Sequence, residues 1–175
     1  MTTLNGKDFF MHSTFTTVLG RTFAVLSVAM LGACATTSRS DAGTGGETAA
    51  KAAAFRYLFA DNASALKTDA ATYCIGTGPA AIPTDPDPAL MAALADVRPT
   101  VQPISACRTG DRVTDAAGRP ALIFHLETTE CDGTTQCFFR GGYYEGNVGA
   151  STATYRARLV GGRWQVTQEG ATAIS

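Results

Sequence analysis

Gly161-Gly162 sits between two runs whose apolar residues share a face only if the runs pair across it. Two adjacent glycines accept positive φ at both central positions, which a two-residue hairpin turn requires. Counting outward, Leu159 opposes Trp164 and Ala157 opposes Val166, while Arg158 opposes Gln165 and Arg156 opposes Thr167. A slip of one residue would carry the apolar side chains to the polar face. The pattern therefore demands a sheet with one covered face.

A cover is available upstream. Glu47 to about Ala60 is rich in alanine and high in helix propensity. Ala52, Phe55 and Phe59 fall on one side of that helix, with Leu58 beside them. Glu47 suits the first turn, where the helix dipole favours negative charge. A further turn is expected from Ser64 to Lys67. Asp87-Pro88 reads as an N-cap followed by proline at N1, opening a helix with Leu90, Met91, Leu94 and Val97 inward and Pro99 beyond its end.

Strands are expected at Thr72 to Ile75, at Val101 to Cys107 as an edge interrupted by Pro103, and at Ala121 to Glu127. In the last, Leu122, Phe124 and Leu126 share one face, and Ile123, His125 and Glu127 share the other. Gly76 to Pro86 reads as loop, and Asp115 to Pro120 as a turn. Helices first and strands after predict an α+β domain, with N-terminal helices packed on an antiparallel sheet of four to five strands.

The folded part does not begin at residue 1. Arg21 precedes an apolar run, Thr22 to Ala33, that closes as Leu31-Gly32-Ala33-Cys34. Charge, apolar segment and small residues are the order of a secretory leader. About a dozen residues are too few for the ~20 that a membrane-spanning helix needs. Leu-Gly-Ala-Cys resembles the lipobox of bacterial lipoproteins, in which cleavage before the cysteine is followed by its lipidation. That resemblance implies residues 1–33 as leader and Cys34 as the acylated residue, carrying diacylglycerol and palmitate-type chains. With Ala35 rather than Asp next, it also implies the periplasmic face of the outer membrane. The rival reading is a leader cut by the ordinary signal peptidase. Met11 would start a leader of ordinary length.

Residues 34–46 hold no large apolar side chain after Cys34 and read as a flexible tether. Residues 47–175 then form a single domain. Residues 1–33 contain only Lys7, Asp8 and Arg21 among charged residues, so a whole-chain net charge of −1 leaves the remainder close to neutral. No basic face invites nucleic acid.

Four cysteines follow Cys34: Cys74, Cys107, Cys131 and Cys137. An even number in an exported domain argues for disulfides, with three connectivities open. Cys131 and Cys137 flank Asp132 to Gln136, a hairpin loop across which the two can face each other. That choice leaves Cys74 with Cys107. Zinc is the competing reading, but paired Cys-x-x-Cys motifs and nearby histidines are lacking. No metal site and no cofactor are expected.

Two features could carry chemistry. His125 and Glu127, two residues apart on one strand face, could move protons, although a solvent-facing polar strand face explains them more simply. Gly141-Gly142-Tyr143-Tyr144-Glu145-Gly146 places Tyr143 and Glu145 on one face and Tyr144 on the other. Tyrosines with a carboxylate suit a polar or cationic ligand. The plainer account is a bulge or bend where another backbone approaches the glycines. Asp85 and Asp87 alternate as in calcium loops but lack the further ligands, so they read as turn and cap.

Tyr73-Cys74-Ile75-Gly76, Ser105-Ala106-Cys107, Gly141 to Gly146, Ala150-Ser151, Thr154-Tyr155-Arg156 and Gly162-Arg163-Trp164 together resemble a group of small exported bacterial proteins with no assigned activity. That resemblance adds support for Cys74–Cys107. An early helix, then a bent antiparallel sheet with a late Gly-Arg-Trp strand, resembles the NTF2-like or cystatin-like cone. The expectation is a lipid-anchored envelope protein that contacts the membrane through Cys34. Its domain would bind an envelope protein or a small ligand. The alternative is a small NTF2-like enzyme with acid–base chemistry near Tyr143, Glu145 and His125.

Overall fold

A computed structural model describes residues 46–147 and 149–174. The leader, Cys34 and the tether up to residue 45 lie outside the described residues.

The element order is α1 (Glu47–Asp61), β1 (Thr72–Thr77), α2 (Pro88–Ala93), β2 (Thr100–Pro103), a 3-10 turn (Ile104–Ala106), β3 (Ala121–Cys131), β4 (Gln136–Tyr144), β5 (Ala150–Val160) and β6 (Arg163–Ile174). The strands form one sheet in the order β2-β1-β3-β4-β5-β6. The class is α+β, but the expected sheet needs correcting. It has six strands rather than four to five, and it is mixed: β1 runs parallel to both β2 and β3, and only β3 to β6 are antiparallel. Nor do the helices both precede the strands, since α2 lies in the connection from β1 to β2. Parallel neighbours need such a crossover, because a tight turn can only reverse the chain.

α1 covers one face of the sheet. Ala50 and Ala54 are almost fully buried, and their small side chains let the helix backbone approach the strands while Phe55, Leu58 and Phe59 fill the space between. Phe59 packs against Tyr73 and Phe124 with ring centroids 4.9 Å away in each case. Leu122, Phe124 and Leu126 of β3, Phe139 of β4 and Tyr155 and Ala157 of β5 complete this core. Glu47 in the first turn pairs with Lys51 at 2.7 Å and accepts a hydrogen bond from Thr128 of β3 at 2.9 Å, tying the helix start to the sheet.

Among the described residues the opposite face is covered only at one end. Cys74, Val113, Ala121 and Ile123 form a smaller cluster there, with Ile104, Cys107 and Tyr144 against it. The 3-10 turn and the loop to β3 supply that cover, and the Cys74–Cys107 disulfide fastens it to β1. Asp115 organises the loop. Its buried carboxylate accepts hydrogen bonds from the Ala117 and Arg119 backbone amides, from the Arg119 side chain and from Thr72 of β1.

Three local expectations agree with the structure in detail. The β5–β6 register is Leu159↔Trp164, Arg158↔Gln165, Ala157↔Val166 and Arg156↔Thr167, around Gly161 and Gly162 with positive φ. Asp87 caps α2 by accepting from the Leu90 amide at 2.8 Å. Cys131 and Cys137 are directly opposed on β3 and β4 and form the second disulfide. Asp132 holds their loop by accepting from the amides of Thr134, Thr135 and Gln136, which pulls its carboxyl far below the usual carboxylate range.

Candidate functional site

Between the C-terminal end of α1 and the helix-side face of β4, β5 and β6 lies a cleft of about 260 Å³. Leu58, Asp61, Asn62 and Ala63 form one wall, and Tyr143, Ser151, Tyr155, Gln168 and Thr172 lie among the residues across from them. The register explains the grouping. Tyr143 opposes Ser151, and Tyr155 opposes Gln168, so neighbouring strands bring polar tips to one place.

The cleft has an acidic and phenolic character. Asp61, the last residue of α1, is exposed at its mouth. Burial pushes the Tyr155 phenol up to about 12, with the negative charge of Asp61 adding to the effect. Tyr57 stacks edge-on against Tyr155 at 5.7 Å. The Tyr143 phenol is also raised, by burial first and by the Glu145 carboxylate second. Among the described residues no lysine or arginine lines the cleft. Its walls thus offer hydroxyl and carboxylate oxygens, beside the apolar Leu58 and Ala63.

Of the residues singled out in the sequence, Tyr143 reaches this cleft. Glu145 does not. It is buried just beyond β4, where it accepts a hydrogen bond from Ser64 Oγ, and Ser64 also accepts from the Leu66 amide. Asn62 joins the same cluster, accepting from the Ser64 amide and donating to the Phe59 carbonyl. Glu145 is therefore a brace between the turn after α1 and the end of β4. Tyr144 projects to the other face and packs on the Cys74–Cys107 cluster.

His125 is also on that other face, because it alternates with Phe124 and Leu126, which point at α1. The expected solvent-facing strand position is a miss: the residue is only 7% exposed. Burial lowers its pKa; Glu127 opposes that shift and Arg140 reinforces it. Its cross-strand neighbours are Gly76 on β1 and Gly142 on β4. Those two positions present no side chains, and Pro83 and Ile104 close over the Gly76 side. His125 and Glu145 consequently act on opposite faces of the sheet and do not converge.

The glycines of β4 accommodate backbone. A Cβ on Gly142 would come within 1.6 Å of the Ser151 carbonyl oxygen, and one on Gly141 within 2.4 Å of the His125 carbonyl oxygen. Gly146, at φ 89°, lies against Asp111 and Arg112. Asn147 donates from its backbone and its side chain to Asp111. The stretch is a place of close strand approach, the plainer of the two sequence readings.

Asp61 and Gln168 carried no functional signal in the sequence, and Tyr155 only a place in one of the resembling phrases. They meet only through the α1-on-sheet packing, and no local spacing relates them. Asp85 accepts from the Ser105 amide and hydroxyl, fastening the loop after β1 to the 3-10 turn. Among the described residues no group of three His, Cys, Asp or Glu is placed to hold a metal ion. Nor is any described helix long and apolar enough to cross a membrane.

A scan against protein-family models found no match, and searches of curated proteins and of solved structures found none either.

Proposed function

We propose that this chain is an exported, lipid-anchored envelope protein whose folded domain is a binding module. The observation that carries the reading is the pairing of cysteines. Four of the chain's five cysteines form Cys74–Cys107 and Cys131–Cys137 within one domain. Structural disulfides persist in oxidising compartments, so the domain suits a chain delivered beyond the cytoplasm. The fifth cysteine, Cys34, follows Leu31-Gly32-Ala33 at the end of the apolar run, where a lipoprotein would be acylated. Two or more acyl chains hold such a protein on a membrane, and the outer membrane's periplasmic face is the site we assign.

For the bound species we assign a small polar ligand, seated in the cleft of Asp61, Tyr143, Tyr155 and Gln168. An acid–base enzyme is the weaker reading, because its proposed partners His125 and Glu145 lie on opposite faces of the sheet. We also read the long helix on one sheet face, with a cleft at its end, as kin to the NTF2-like or cystatin-like cone. Its parallel β1 is a departure from that pattern.

The test is membrane fractionation with metabolic labelling by an alkyne analogue of palmitate. The wild-type chain should label and sediment with outer membranes, and Cys34→Ser should do neither. Equal membrane association of the two chains would overturn the anchor.

A further inference from the structure

We propose that the outer edge of β6 pairs antiparallel with β6 of a second copy of this chain, in a register centred on Val166. β6 ends the sheet, and its far side has no strand partner among the described residues. Edge strands of natural proteins are commonly blunted by proline, by lysine or by shortness. β2, the other edge, is four residues long and contains Pro103. β6 is twelve residues long and has neither proline nor lysine, and its bulge at Gly170 lies beyond Glu169, so its register from Arg163 to Glu169 is regular.

The hydrogen-bonding direction of β6 follows from its turn. Val160↔Arg163 closes the two-residue Gly161-Gly162 turn and is a hydrogen-bonded pair. Leu159 accordingly turns the other way, donating its amide to Thr135 on the β4 side at 2.8 Å. Alternation then points the backbone groups of Arg163, Gln165 and Thr167 at β5. Those of Trp164, Val166 and Gln168 point outward.

Antiparallel self-pairing must set these outward residues opposite one another. Among the registers that do so, only the one centred on Val166 places Arg163 of each copy opposite Glu169 of the other. It also sets Trp164 against Gln168 and Val166 against Val166. Opposed cross-strand charges favour a register and like charges penalise it, so the strand is self-complementary here. Glu169 has capacity for the contact. Arg156 at 2.5 Å and Thr167 at 3.3 Å both use its Oε1. The arrangement is a two-fold, isologous interface, which closes at two copies and does not propagate.

The test is sedimentation velocity of the full chain in mild detergent, with circular dichroism on every variant. Wild type should dimerise. Arg163→Glu sets Glu against Glu169, and Glu169→Arg sets Arg against Arg163, so each variant alone should weaken the dimer at least tenfold. Mixed in equal amounts, the two variants restore both opposed pairs and should recover the dimer. Val166→Pro removes an outward amide that the monomer's own ladder does not use, and should abolish dimerisation with the monomer folded. A wild-type monomer at high concentration, or a mixture no better than its components, would overturn the proposal.

Discussion

His125 shows how a single residue couples to solution conditions. Burial beneath the loop-covered end of the sheet disfavours its charged form, so its folded pKa lies below the 6.5 of the free side chain. The unfolded chain therefore binds a proton that the folded chain refuses, over the range from about 6.5 down to the folded value. In that window stability falls as pH falls; above it, His125 contributes no slope. The charged groups facing it are Glu127, which works against the shift, and Arg140, which works with it. We expect urea midpoints measured between roughly pH 7.5 and 5 to decline for the wild type. In His125→Gln that decline should be smaller by one titrating group. Identical slopes in the two proteins would count against the burial account. Strand alternation in the sequence was enough to put His125 opposite the Leu122-Phe124-Leu126 face. It could not reveal that this second face is covered at one end. The covering loop, with Val113 and Asp115, has no periodic pattern, and it docks through the disulfide and hydrogen bonds. For the same reason Glu145 read as a ligand candidate: its true partner, Ser64, is 81 residues away and no local motif links them.

Elements whose determinants are contiguous were the legible ones. The β5–β6 hairpin needs only Gly161-Gly162 and the alternation on either side. α2 needs only Asp87 as cap and Pro88 as a pre-set first residue. That helix has just six residues, so its capping bond is a large share of what holds it in place. Asp87→Ala should cost about 1 kcal/mol, visible as a lower denaturant midpoint with an unchanged slope. Asp87→Asn should lose much less, since the amide oxygen can still accept from the Leu90 amide. Comparable losses in the two variants would show that the charge, and not the cap, matters. β1 was legible as a strand but not as a parallel one. Its six residues are nearly all buried on both faces, so they lack the alternation that would report a neighbour's direction. Its partners, β2 and β3, are reached through long irregular connections, and pairing at that range leaves no mark in spacing. The cleft shares this opacity, because Asp61 ends α1 while Tyr143, Tyr155 and Gln168 belong to three different strands.

At the scale of the whole molecule the two disulfides differ in what they secure. Cys131–Cys137 closes a loop of sequence separation 6 whose ends already oppose each other on β3 and β4 and whose turn Asp132 already organises. Cys74–Cys107 spans 33 residues and joins β1 to the segment that covers the second face. Loop-closure entropy grows with the logarithm of loop length, giving about 2 kcal/mol for the short bridge and about 3–4 kcal/mol for the long one. Packing widens the gap. Cys74 is fully buried among Val113, Ala121 and Ile123, so its loss also opens the smaller core. Cys74→Ala with Cys107→Ala should therefore lower the guanidinium midpoint more than Cys131→Ala with Cys137→Ala. It should also speed hydrogen exchange at Arg108 and Thr114, whose amides bond each other's carbonyls within the covering loop, while leaving Phe139 of β4 protected. An equal effect of the two double variants, or unchanged exchange at Arg108 and Thr114, would mean that the covering loop holds its place without the bridge. The difference also ties fold to compartment. Where the Cys74–Cys107 bridge is reduced, the α1 face should persist and the second face loosen, so complete folding of this domain should depend on oxidising conditions.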